Sequence, residues 1–211
     1  MDIKNTPTQH MIVGIFSLAL IFISTLLLNT PWSTSLGRVA YILLFLILII
    51  GPTMRLKKPA KSLSPLITQW SWRGELGIWF TIMALAHFIF VLINTPFPNL
   101  ISIGGGGFGL TNLLGLIALF WAVVLTVTSF GKIISFLGVS SWKWLHSLTY
   151  VIFYLVSAHF IYFQFFSTYG EVGPDWFGYT AVMLSFVVII LQLIAFAVAV
   201  KKHREEKDLI K

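Results

Sequence analysis

Three histidines stand inside apolar stretches of this chain: His87 in one, and His146 and His159 together in another. An imidazole inside a bilayer-spanning helix is costly unless it has a partner, so each is a functional-site candidate by default. His146 and His159 are thirteen residues apart, roughly 20 Å of helix axis at about 1.5 Å per residue. That is most of the roughly 30 Å hydrocarbon core, so the histidines mark two depths. His87 lies about as far into its own segment as His159 does, and the two can face each other from different helices. Neutral imidazoles on facing helices are suitable axial ligands for haem iron, and bundle cores build cofactor sites in this way.

Other uses of these residues are weighed against that one. A single histidine in a spanning helix can simply bond a neighbouring helix. Zinc would need three or four ligands close together, and His146 and His159 are too far apart to share an ion. A proton pathway would more often hold a buried acid, and no Asp or Glu lies at the centre of any apolar segment. His10 and His203 fall in polar tails and read as solvated.

Two arginines belong with the histidines. Arg73 precedes His87 by fourteen residues, which leaves only about 40° between their directions on an ideal helix. It thus sits at the level of His146, either as an ordinary flanking cation or as a partner for an inner haem, on its iron or its propionates. Glu75 beside it reads as a local ion-pair partner. Arg38 starts the second segment and either snorkels to the surface or contacts the propionates of an outer haem. One difficulty is geometric: thirteen residues rotate an ideal helix by about 220°, so His146 and His159 do not share a face. Aiming both at one partner requires a bend, a π-bulge or long side-chain reach.

The elements that must position these residues follow from composition. The 211 residues are 57% hydrophobic and 10% charged, with mean hydropathy +0.91, against about a quarter charged in soluble domains. This is an all-α integral membrane protein. There is no cysteine, which excludes disulfides, thiolate metal sites, Fe–S clusters and covalent haem attachment through C-x-x-C-H. Six spanning segments are read at 11–29, 36–52, 75–93, 111–129, 145–167 and 176–200, giving a six-helix bundle over 11–200 between short tails, 1–10 and 201–211. The first is too long for a signal-peptide core and reads as a retained helix.

Basic residues (Arg55, Lys57, Lys58, Lys61 and Arg73; Lys132 and Lys143; Lys201, Lys202 and Arg204) concentrate in alternate connections, while the others are uncharged or carry Glu171 and Asp175. The positive-inside rule places both termini in the cytoplasm. The net charge of +7 is accounted for by this topology and forms no nucleic-acid footprint. The run GGGGFG at 104–109 lacks the Lys-Ser/Thr of a phosphate loop; its connection reads as a cover over the outer mouth of the bundle.

The stretches WRGELGIWFTIMALAH (72–87) and LTVTSFGKIISFLGVSSWKWLHSLTYVIFYLVSAH (125–159) resemble the ferric-reductase-like transmembrane domain family. The matching features are Arg73 with LGI and His87, Thr128-Ser129, Leu137-Gly138, the Trp-x-x-x-His ending at His146, Tyr150 and His159; Gly37-Arg38 and the Gly-Pro-x-x-Arg ending at Arg55 add to them. The likeness is strongest to a short bacterial branch, the haem-binding subunits of methionine sulfoxide reductase systems. It implies a membrane cytochrome with one or two b-type haems, His87 and His159 ligating the outer one and His146 the inner one. Many relatives carry a second histidine where this chain has Arg73. It also implies a bacterial inner-membrane location and a periplasmic molybdopterin-containing reductase subunit as acceptor. Quinol or a flavin reductase would be the donor, with FMN as a further cofactor. A ferric-chelate or oxygen reductase subunit is the first alternative, and a haem-free transporter or assembly factor the second.

Overall fold

In a bilayer every backbone polar group must be satisfied within the protein, which leaves a chain this apolar with helices as its one economical solution. The computed structural model describes residues 7–56, 71–101, 108–166 and 173–208, and all its regular elements there are helical. Six of them, counting Val139–Phe165 as one, are long and apolar enough to cross a membrane. The protein is a multi-pass, all-α, six-helix membrane protein.

Helix α1 (Pro7–Phe22) runs into a single π-helical turn, Ile23–Leu27, with the Leu28 amide donating to the Ile23 carbonyl at 3.2 Å. The turn re-aims the chain, and Asn29 takes a left-handed φ of 54°, a conformation Asn tolerates better than most residues. Helix α2 (Trp32–Leu56) follows. It is the central element: Val39, Leu43, Leu44 and Leu48 are all essentially inaccessible. Pro52 interrupts its ladder, and the Thr53 hydroxyl donates to the carbonyls of Ile49 and Ile50 at 2.7 and 2.9 Å.

Helices α3 (Ser71–Asn94) and α5 (Phe108–Val127), with the short α4 (Phe97–Ile101) between them, form the next layer. The Thr81 hydroxyl meets that of Thr126 at 2.7 Å, tying α3 to α5. On the other flank of α3, Trp79 packs against Gly14 of α1, where a Cβ would come within 2.6 Å of the indole. Trp79 is therefore a packing residue.

The connection expected as a loop at 130–143 is largely helical: α6 (Gly131–Leu137) and α7 (Val139–Leu145) meet at Gly138, whose φ of 76° suits glycine. A three-residue 3₁₀ turn, His146–Leu148, then leads into α8 (Thr149–Phe165). Helix α9 (Trp176–Asp208) extends past the expected end at residue 200 into the charged tail. Tyr41 of α2 joins α8 and α9: its hydroxyl reaches the Ala181 carbonyl and the Ser185 hydroxyl at 3.0 and 2.6 Å. Its ring packs on Phe160 and Phe177. Lys57, Lys58, Lys61, Glu171 and the glycines 104–107 lie outside the described residues.

Candidate functional site

Helices α2, α3, α5 and α8 enclose a cavity of about 370 Å³ lined by both His87 and His159. Each imidazole is held the same way. His87 Nδ1 lies 2.7 Å from the carbonyl of Ser33, and His159 Nδ1 lies 2.8 Å from the carbonyl of Thr111. A carbonyl only accepts, so Nδ1 carries the proton in both rings and Nε2 is left as the lone-pair nitrogen. The edge of Phe163 packs on His159 at 5.0 Å between centroids. Ala84, Leu116, Leu119, Val156 and Phe160 make most of the wall apolar, with Arg38, Asn112 and Gln164 among its polar members. Leu100 of α4, 3% exposed, also lines the cavity.

Arg38 does not snorkel. It is 6% exposed, forms an ion pair with Asp175, and donates to the Thr30 hydroxyl at 3.3 Å. Its guanidinium also stands over the rings of Phe177 and Trp176, 5.2 and 5.9 Å from their centroids. Asp175 serves a second purpose, since its other oxygen accepts from the Gly178 amide at 2.9 Å and caps α9.

A second cavity, about 530 Å³, holds Arg73 and His146 together with Lys143, Trp142 and Tyr150. His146 Nε2 lies 3.3 Å from the Thr128 hydroxyl. The indole of Trp142 lies against the imidazole, 4.3 Å between centroids and tilted by 36°. The hydroxyl of Tyr150 accepts from Gln192 at 2.7 Å. Glu75 is fully buried and lines neither cavity.

The helix distortion that the histidine spacing demands is present: His146 opens the 3₁₀ turn between α7 and α8. Three steps at about 120° instead of about 100° add roughly 60°. That turns the offset between His146 and His159 from about 220° to about 280°, so the two directions differ by about 80° rather than about 140°. His87 and His159 thus share one cavity, His146 and Arg73 the other, and Arg38 borders the first. His10 and His203 line neither cavity.

Residues 36–157 match the family described as ferric reductase like transmembrane component. The chain belongs to this family. The match covers more than half of the 211 residues. Within this ferric-reductase-like domain lie Arg38, Arg73, His87 and His146, while His159 stands two residues beyond its end. No curated protein matches the chain. Among the described residues no three His, Cys, Asp or Glu side chains gather at one point.

Several contributors to the two cavities escaped sequence reasoning. Phe80, 6% exposed, is the residue that borders both cavities. Trp142 was legible as the ring partner of His146 from their spacing of four. The carbonyls of Ser33 and Thr111 carry no side-chain signature. Asp175 had one cue, an acid one residue before the last apolar segment, where helix caps belong.

Proposed function

We propose that this domain is a b-type cytochrome subunit that passes electrons through the membrane from the side bearing the basic connections to the opposite face. The observation that carries the reading is the pair His87 and His159: two imidazoles from different helices, in one apolar cavity, each fixed in the tautomer that leaves Nε2 as a ligand atom. Haem, when bound, supplies an iron that changes oxidation state by one electron without gaining or losing a proton-bearing group. His87 and His159 would hold it, and the apolar wall would keep water from the site and favour the less charged oxidation state. Arg38 is the propionate partner available at that cavity, in competition with Asp175.

At the second cavity His146 would be the histidine ligand. Arg73 and Lys143 would meet acidic groups, whether propionates or the phosphate of an FMN in the same space. Trp142 holds the His146 ring in place by contact. The electron donor we assign is quinol or a separate flavin reductase. The acceptor is a periplasmic molybdopterin-containing methionine sulfoxide reductase subunit. The family description favours a second reading, in which a ferric chelate takes the electron directly.

Purified protein from cells supplied with haem tests the proposal. A dithionite-reduced minus oxidised spectrum should show b-type bands, and His87→Ala or His159→Ala should each remove the same component. A wild-type protein without those bands refutes the cytochrome reading.

A further inference from the structure

The two imidazoles reach their carbonyls across a shared backbone device. In an α-helix each Cβ tilts toward the N-terminus, so the side chain at position i+4 overhangs the carbonyl of residue i. That carbonyl already accepts the amide of residue i+4 but has a second lone pair, reachable from outside the helix only where the overhanging residue is very small. Ser33 is followed four residues later by Gly37, and Thr111 by Gly115. A Cβ at Gly37 would lie 3.2 Å from His87 Nδ1 and 3.3 Å from its Cε1; at Gly115 it would lie 3.0 Å from both atoms of His159. These separations are inside the roughly 3.5–4.0 Å of ordinary contact. Neither ring can back away without lengthening its 2.7 or 2.8 Å bond.

A Cβ at Gly14 or Gly178 would also be crowded, by Trp79 at 2.6 Å and by Gln164 Oε1 at 2.8 Å, but not by a histidine. A Cβ at Gly51 would meet Arg73 Nη1 and Tyr150 Oη at 3.7 Å, an ordinary contact, and one at Gly131 would meet nothing within 4 Å.

We propose that Gly37 and Gly115 are positioning residues for the histidine pair. Each opens the path by which an imidazole on a neighbouring helix reaches the carbonyl four residues earlier, and so sets which ring nitrogen is left to bind a ligand. The consequence for haem rests on the cytochrome reading above; the seat itself does not. An alanine at either glycine pushes the ring off its carbonyl, after which nothing holds the proton on Nδ1.

The experiment uses the full chain in detergent with ¹⁵N-labelled histidine rings. In haem-free wild type, both His87 and His159 should show a protonated Nδ1 and a lone-pair Nε2. Gly37→Ala should abolish that signature for His87 alone, Gly115→Ala for His159 alone, and Gly131→Ala for neither. Wild-type rings protonated at Nε2, or both alanine variants retaining the wild-type pattern, overturn the proposal. In haem-loaded protein each alanine variant should bind haem about 10–100-fold more weakly, with shifted low-spin EPR g-values. Unchanged affinity and g-values in both would also overturn it. A wild type that shows the Nδ1 signature yet takes up no haem instead refutes the cytochrome reading and leaves the glycine seat standing.

Discussion

Replacing Asp175 by alanine should destabilise the bundle in a way that separates two roles of one carboxylate. The first role is the cap of α9, through the Gly178 amide at 2.9 Å; losing a cap of this kind costs about 1 kcal/mol. The second is the ion pair with Arg38, whose side chain is 7% exposed while that of Asp175 is 38% exposed. Breaking a fully buried pair costs about 3–5 kcal/mol, whereas an exposed pair is worth about 0–1 kcal/mol. With one partner buried and the other partly hydrated, about 2 kcal/mol is the appropriate figure. The rings of Phe177 and Trp176 and the Thr30 hydroxyl still face the stranded guanidinium, which argues against the upper end. Asp175→Ala should therefore lose about 3 kcal/mol in all.

At about 2–4 °C per kcal/mol for a chain of this size, that is a fall in Tm of about 6–12 °C. Asp175→Asn keeps an oxygen acceptor for the cap and removes the charge, so about 4–8 °C is expected. Thermal unfolding in detergent followed by tryptophan fluorescence measures both. In the double variant Arg38→Gln with Asp175→Asn no buried cation is left alone, so its loss should be smaller than the sum of the singles by about 2 kcal/mol. Additive losses, or an Asp175→Ala protein melting within about 1 °C of wild type, would refute the reasoning.

Three further outcomes follow from the packing. Gly14→Leu forces a side chain into the indole of Trp79, whose nearest atom would be 2.6 Å from the new Cβ. It should cost about 1–3 kcal/mol, read as a lower Tm, while Gly14→Ala combined with Trp79→Phe should recover part of the loss. His146→Ala should lower haem per chain without changing the bands assigned to His87 and His159; an equal haem count would mean that His146 holds none. Phe80→Ala removes the side chain common to both cavities and should cost about 3–5 kcal/mol if the space stays empty. A detergent-solubilised variant with unchanged Tm would show that the helices close over the gap.

The parts of this molecule that were legible in its sequence are those governed by lipid as a solvent. Six spans, the matched depth of His87 and His159, and the shared level of Arg73 and His146 all follow from apolar length and a fixed rise per residue. The need for a distortion between His146 and His159 was also legible, because 3.6 residues per turn leaves the two misaligned. Its form was not: a 3₁₀ turn beginning at His146 depends on how α7 meets α8. The helical character of 131–145 was hidden for a related reason, since each piece is a seven-residue helix too short to show a period. Arg38 and Asp175 are 137 residues apart, and no local pattern joins them. The seats at Ser33 and Thr111 are made by backbone, which has no letter in the sequence.

The two cavities differ in a way that bears on what each can hold. The one with the histidine pair offers two neutral rings, an apolar wall and one arginine already paired with an acid. The other offers one imidazole and the side chains of Arg73 and Lys143, and no acid stands among its described lining residues. Each lining thus sets basic side chains beside an imidazole, a combination that suits a ligand with acidic groups and an apolar body. Beside the cavities the bundle is closely packed: Leu43 and Leu44 of α2 are 0% exposed, and Ile152 and Phe153 of α8 are each 1% exposed. An interior packed this tightly suits a species with no water shell, such as an electron, better than a hydrated ion, in keeping with the cytochrome reading proposed above.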